Sequence, residues 1–140
     1  MLTIGELSRA TGVKIPTIRY YEQMGLMAVA ERSGGNQRRY ESHDRECLSF
    51  IKHARDLGFT IEAIRELLEL SAHPDRPCVD ADEIAVRQLQ AVRNKIAKLR
   101  LLEKELDRMT SRNHDDQVKH CYVLQSLANH DMCVSEHQRP

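Results

Sequence analysis

The stretch Thr3-Ile4-Gly5-Glu6-Leu7-Ser8-Arg9-Ala10-Thr11-Gly12-Val13-Lys14-Ile15-Pro16-Thr17-Ile18-Arg19-Tyr20-Tyr21-Glu22 decides the fold. Thr3 and Glu6 have the spacing of a capping box, in which a hydroxyl and a carboxylate satisfy amides left free at a helix start. A short helix is expected there, with Ile4, Leu7 and Ala10 turned inward and Gly12 ending it. Pro16 has no amide proton to lose in a first helical turn, so a second helix is expected from Thr17 to about Met24. Two short helices joined through a glycine turn make a helix-turn-helix.

Outward from this pair, Leu26 to Tyr40 holds Ser33-Gly34-Gly35-Asn36 in its middle, a turn between two extended arms, and is read as a small β wing. Ser42 is expected to cap a third helix, in which Leu48, Ile51, Ala54, Arg55 and Leu57 recur at helical spacing before Gly58. Thr60 starts a fourth, with Ile61, Ile64, Leu67 and Leu68 on one face, and Pro74 and Pro77 break the pattern. From Val79 to Met109 there is neither Pro nor Gly, and Ala85, Leu89, Val92, Ile96 and Leu99 follow the alternating spacing of a coiled-coil seam. Leu102, Leu106 and Met109 resume it one residue early, a shift that overwinding absorbs. One helix cannot bury such a stripe alone, and a second copy of the chain is the economical cover, so a homodimer is expected.

The chain has 140 residues and 41% hydrophobic content, enough for one small domain with extensions. Its 21 Lys and Arg balance 21 Asp and Glu, so any attraction for an anionic partner must come from local segregation of charge. No apolar run is long enough to cross a bilayer, and the N-terminus has no basic-then-apolar targeting pattern, which points to the cytoplasm and away from membranes. Cys47, Cys78, Cys121 and Cys133 are then read as metal ligands or structural thiols before disulfides.

In the second helix Arg19 stands beside Tyr20: arginine bonds guanine edges or phosphates, and a phenol bonds phosphate. Ile18 is expected to point inward. An isolated Arg-Tyr-Tyr would be an ordinary surface feature, but Arg38, Arg39 and Tyr40 follow the Gly-Gly turn and Lys14 flanks the helix start, which gathers cations on one side.

These residues together resemble the mercury-resistance regulator (MerR) type of bacterial transcription factors. The resemblance rests on IGELSRATGV, TIRYYE, GGNQRRY, FIKHARDLGFTIEAIRELL and the long helix after them, and it covers most of the chain. It implies an all-α fold with a small β wing, a winged helix-turn-helix domain followed by a long antiparallel coiled-coil dimerisation helix. It also implies a homodimer on a palindromic operator in double-stranded promoter DNA, activating RNA polymerase there by distorting the DNA. Carried over by motif, Arg19, Tyr20, Arg38 and Tyr40 are the expected DNA contacts, flanked by Lys14 and Thr17; Gln37, where relatives often have an aromatic residue, departs from the pattern. The expected organisation is a DNA-binding domain over 1–72, a linker over 73–78, a dimerisation helix over 79–110, a metal-binding loop over 111–121, a short helix over 122–129 and a flexible tail over 130–140. The short helix is expected to be apolar through Tyr122, Val123, Leu124 and Leu127.

Metal sensors of the family carry a cysteine at the Cys78 position and two flanking the loop, the second matching Cys121; His114 stands where the first loop cysteine is expected. Thirty residues of helix span roughly 45 Å, so one subunit could not close Cys78 and Cys121 around an ion, whereas an antiparallel dimer would bring Cys78 of one chain to His114 and Cys121 of the other. Imidazole in place of a thiolate favours Zn2+ over Cd2+ or Pb2+, and the family's copper sensors lack a thiol at the Cys78 position, a resemblance that argues against Cu+. His120 is a further candidate ligand, and His130, Cys133 and His137 could form a second site, although a polar tail of that composition is more often disordered. Cys47 is read as packing, with a reactive sensor thiol as its alternative. A thiol-based redox or electrophile sensor without a stable metal is the competing function. A metal hydrolase is disfavoured because no general base lies at a fixed spacing from the candidate ligands.

Overall fold

The computed structural model describes residues 1–32, 38–111 and 117–129. Its order is α1 (Ile4–Thr11), α2 (Ile15–Gln23), β1 (Glu31–Arg32), β2 (Arg38–Arg39), α3 (Ser42–Asp56), α4 (Ile61–Ser71), α5 (Val79–Ser111), a 3-10 turn (Val118–His120) and α6 (Tyr122–Ala128). Two compact units divide this chain, Met1–Gln88 and Leu89–Pro140, so the first takes in the start of α5.

Within the first unit, α1 begins on the expected box. The Thr3 hydroxyl accepts the Glu6 amide at 3.2 Å, and Glu6 Oε1 accepts the Thr3 amide at 3.1 Å. The Thr3 backbone amide first, and the Thr3 hydroxyl next, hold the Glu6 carboxyl below its usual pKa. Gly12 closes α1 in the left-handed conformation, with φ 74°. Pro16 lies in the first turn of α2. The arms pair antiparallel, Glu31 with Arg39 and Arg32 with Arg38, and a further bridge joins Leu2 to Tyr40. The expected turn tip, and Gln37 with it, lies outside the described residues.

Leu7, Ile18, Tyr40, Leu48, Ile51 and Ile64 are fully enclosed at the centre of this unit. Three sequence expectations need correction. Ala10, Arg55 and Leu57 are exposed, because α1 and α3 each bury a narrower stripe than their full apolar spacing allowed. Helix α3 is capped by Glu41, which pairs reciprocally with Asp44, so Ser42 is its first helical residue and not its cap. Thr60 does cap α4, its hydroxyl accepting the Ala63 amide at 3.1 Å. The start of α5 is tied in as well: Ile84 is buried, and the Gln88 side-chain amide donates to the Leu57 carbonyl at 3.0 Å.

In the second unit α5 continues to Ser111 and α6 carries the chain back beside its end. Leu89, Ile96, Leu99 and Leu106 on the expected seam are exposed, at 47%, 42%, 62% and 60%. Leu124 and Leu127 of α6 are also exposed, contrary to an apolar face through them; the buried position on α6 is Ser126. Among the described residues no helix is long and apolar enough to cross a membrane.

Gly58 follows α3 with φ 86°, and an added Cβ would stand 2.7 Å from Gln88 Nε2. The amide is the movable end of a side chain, whereas the backbone angle is fixed by the turn. Gly58→Ala should therefore destabilise the protein by about 1–3 kcal/mol, and adding Gln88→Ala should recover little of that loss in chemical denaturation.

Candidate functional site

Helix α2 is two-sided by its packing. Ile18, Tyr21 and Glu22 turn into the core, which leaves Arg19 exposed and Tyr20 at 46% exposure on the opposite side. The rings of Tyr20 and Tyr21 meet at a tilt, centroids 6.0 Å apart, so the exposed phenol leans on a buried neighbour. Thr17 is half-buried and Lys14 is exposed. Lys14 precedes α2 and offers its carbonyl to the Thr17 and Ile18 amides, while its side chain makes no capping bond. Arg39 is half-buried, and of Arg38 only the backbone is described.

Tyr40 departs from the expected role of phosphate anchor. It is wholly enclosed, and its hydroxyl donates to Glu22 Oε1 at 3.3 Å. A phenol with no exposed surface cannot reach a phosphate without leaving the core, so the last residue of the Arg-Arg-Tyr run is structural. Sequence reasoning also missed Glu22, since glutamate is seldom buried. Its Oε2 accepts the Ala30 amide at 3.2 Å, and the residue is 6% exposed. The far end of α2 is held from another helix: Arg65 of α4 donates to the Met24 carbonyl at 2.7 Å. A guanidinium on a helix C-terminal carbonyl both satisfies it and complements the helix dipole.

The candidate metal ligands occupy the ends of the long helix in sequence. Cys78 is exposed just before α5; its carbonyl accepts the Asp82 amide at 3.0 Å, and its thiol donates to Asp82 Oδ1 at 3.8 Å. Cys121 is half-buried between the 3-10 turn and α6. Its amide donates to the Val118 carbonyl and its carbonyl accepts the Gln125 amide, both at 3.1 Å. His114, His130, Cys133 and His137 lie outside the described residues, and His120 is exposed. Among the described residues of the single chain, no three of His, Cys, Asp and Glu form a group that could hold a metal. The free thiols of Cys78 and Cys121 nevertheless suit a borderline-soft divalent ion by their donor chemistry. Cys47 differs from both. Burial, with the Asp44 charge added, pushes its thiol above the usual pKa, and it donates to the Leu26 carbonyl at 3.7 Å. A thiol kept protonated is a poor nucleophile, which supports the packing reading.

Beside Cys121 lies a polar cluster that the sequence did not announce. Glu105 is 4% exposed and meets Arg108 Nη2 at 3.0 Å. Arg108 also donates from Nη1 to the Tyr122 hydroxyl, with its guanidinium carbon 5.6 Å from the Tyr122 ring centroid. Glu105 raises the Arg108 pKa further above its already high value.

Comparison with known proteins agrees with this geometry. Residues 2–71 match the family model described as MerR HTH family regulatory protein, and residues 45–109 match the one described as MerR, DNA binding. Heavy metal-dependent transcription regulator 2 of Rhizobium meliloti (strain 1021) is 34% identical over 139 residues, covering 99% of this chain and 95% of that protein. The HTH-type transcriptional regulator ZntR of Escherichia coli (strain K12) is 40% identical over 110 residues, 78% of each chain. Among solved structures, the transcription regulator PbrR691 from Ralstonia metallidurans CH34, in complex with lead(II), superposes with a TM-score of 0.76 at 33% identity, covering 91% of this chain and 99% of that one.

The different placements of Arg19 and Tyr40 separate their expected phenotypes. Tyr40→Phe removes a buried bond to a carboxylate and should cost about 1.5–3 kcal/mol of stability, with DNA sequence preference unchanged. Arg19→Ala should leave the melting temperature within about a degree or two, since surface changes are usually within ~0.5 kcal/mol. It should lower discrimination between DNA sites by about 1–3 kcal/mol in competition binding.

Proposed function

The chain belongs to the MerR family of helix-turn-helix transcription regulators, and from that premise we propose that it is a metal-responsive activator working as a homodimer on a palindromic promoter operator. It is a regulator, not an enzyme, as its relatives are. The observation that carries the metal reading is the pair of free thiols, Cys78 ahead of α5 and Cys121 beyond it, in a chain whose relatives are named for their metal dependence.

In this reading residues 1–72 bind DNA, 73–78 link, 79–110 dimerise, 111–121 bind the metal, 122–129 form the short helix and 130–140 the tail. Lys14, Thr17, Arg19, Tyr20 and Arg38 meet the operator; the exposure of Lys14, Arg19 and Tyr20 supports this. The two long helices pair antiparallel, which is supported by the uncovered apolar seam. Cys78 of one subunit then joins His114 and Cys121 of the other around the ion. Zn2+ is favoured over Cd2+ or Pb2+ because of the imidazole. The ion supplies a crosslink that favours one of two dimer conformations, and the DNA held by that conformation is bent and untwisted between its half-sites for RNA polymerase.

Titration of the dimer with Zn2+, Cd2+, Pb2+ and Cu+, read against promoter transcription, tests the proposal. Cys78→Ser, Cys121→Ser and His114→Ala should abolish the Zn2+ response and spare operator affinity, whereas Cys47→Ser should respond normally. Because thiolate and imidazole must both be deprotonated to coordinate, Zn2+ affinity should fall as pH is lowered. A response that survives chelator treatment and follows thiol oxidation would establish the redox reading instead.

The dimer has its own test. Leu89→Asp or Ile96→Asp should shift the protein to monomer in sedimentation and cut operator affinity at least ten-fold, since each places an unpaired charge in the seam. Unchanged dimerisation in both variants would mean that the subunits meet elsewhere.

A further inference from the structure

We propose that Tyr122, gripped by Arg108 and Glu105, is a positioning residue that sets where the Cys121 thiol stands to receive a divalent metal ion; the inference rests on the metal reading above.

Helix α6 has seven residues, too few to hold itself helical in water. Its leucines contribute little, Leu124 and Leu127 being 48% and 69% exposed, and among the described residues the apolar burial at this end is limited to half-buried Val123 and buried Met109. A polar cluster also ties it to α5: Arg108 donates to the Tyr122 hydroxyl, lies over its ring at 5.6 Å, and is oriented by Glu105 at 3.0 Å. Such a half-buried ion pair is a weak choice for stability, since apolar residues of the same volume often pack as well. It is a strong choice for placement, because the planar guanidinium fork fixes the direction of each bond it makes. The ring is therefore held by its hydroxyl and by its face.

Cys121 is the residue next to that ring, and its own backbone is bonded on both sides, to Val118 and to Gln125. With φ −72° and ψ 114° set by these bonds, the thiol keeps little freedom beyond rotation about its own side chain. The position of Tyr122 is passed to the thiol across one peptide unit. Partners of this outer kind tune a metal site without touching the ion.

The test uses the full-length dimer and the variants Tyr122→Phe, Arg108→Lys and Arg108→Met. Three quantities are measured: the alkylation rate of Cys121 in metal-free protein by peptide mass spectrometry, Zn2+ affinity against a competing chelator, and melting temperature with operator affinity as folding controls. Tyr122→Phe and Arg108→Met should alter the Cys121 alkylation rate several-fold and weaken Zn2+ about ten-fold or more, with both folding controls near those of the unaltered protein. Arg108→Lys, which keeps the charge but not the fork, should fall between. A merely structural role would move the melting temperature and leave folded-state Zn2+ affinity alone, and that result overturns the proposal; so does unchanged alkylation, or altered alkylation with unchanged Zn2+ affinity. Cys121→Ser separates the two levels of argument: if it binds Zn2+ as the unaltered chain does, the metal reading itself fails, whereas loss there with full affinity in Tyr122→Phe sinks only the positioning role.

Discussion

A carboxylate enclosed in an apolar core must be paired, and Glu22 imposes that condition on the whole N-terminal unit. Leaving its charge unpaired would cost several kcal/mol, so the Ala30 amide and the Tyr40 hydroxyl have to converge on it. Ala30 immediately precedes β1 and Tyr40 immediately follows β2, so both flank the Glu31–Arg39 pair at one end of the arms. Tyr40 is in turn fixed by backbone bonds in both directions to Leu2, at 2.7 and 2.8 Å. One buried charge thus ties the inner face of α2, both arms and the N-terminal strand residue together. The outer face of α2, with Arg19 and Tyr20, is aimed by what its inner face must satisfy.

The same unit extends into the start of α5, so Cys78 and α2 belong to one compact unit. Arg65 carries α4 onto the C-terminal carbonyl of α2, and Gln88 carries α5 onto the turn after α3. Cys78 lies between α4 and the buried Ile84, inside the same compact unit as α2. A packed unit of this kind shifts between discrete arrangements more readily than it deforms. A ligand that prefers one arrangement at Cys78 would bias the angle at which α2 is presented, with no need for a long-range path.

Much of this was legible because it is local. The Thr3 and Glu6 box, Gly12 and the Thr60 cap each act within one helical turn, so spacing alone identifies them. Glu41 escaped because a Glu-Asp box lies off the usual Ser or Thr pattern, and the adjacent Ser42 offered a more familiar cap. Tyr40 and Glu22 escaped together: each reads as a surface residue by itself, and only their non-local meeting makes both interior. The Glu105, Arg108 and Tyr122 cluster was hidden for the same reason, and the leucines of α6 misled because helical spacing does not say which stripe meets the neighbour. Of the candidate metal set, Cys78 precedes α5 and Cys121 precedes α6, no three candidate ligands gather among the described residues of one chain, and His114 lies outside them.

The exposed seam of α5 links these separate features to one another. Fully burying a leucine-sized side chain is worth about 1.5–3 kcal/mol, and Leu89, Ile96, Leu99 and Leu106 all retain large exposed areas in the single chain. A helix whose apolar stripe is uncovered gains most of its stability from the surface that covers it. If that surface is a second copy, the stability of α5 depends on protein concentration, and any ligand that bridges the two copies adds to it by mass action. An ion held by Cys78 of one chain and Cys121 of the other would then act on assembly and on the arrangement of the DNA-facing helices through a single set of bonds. In that arrangement the surface that covers the apolar seam and the surface that takes up the ion would be one and the same.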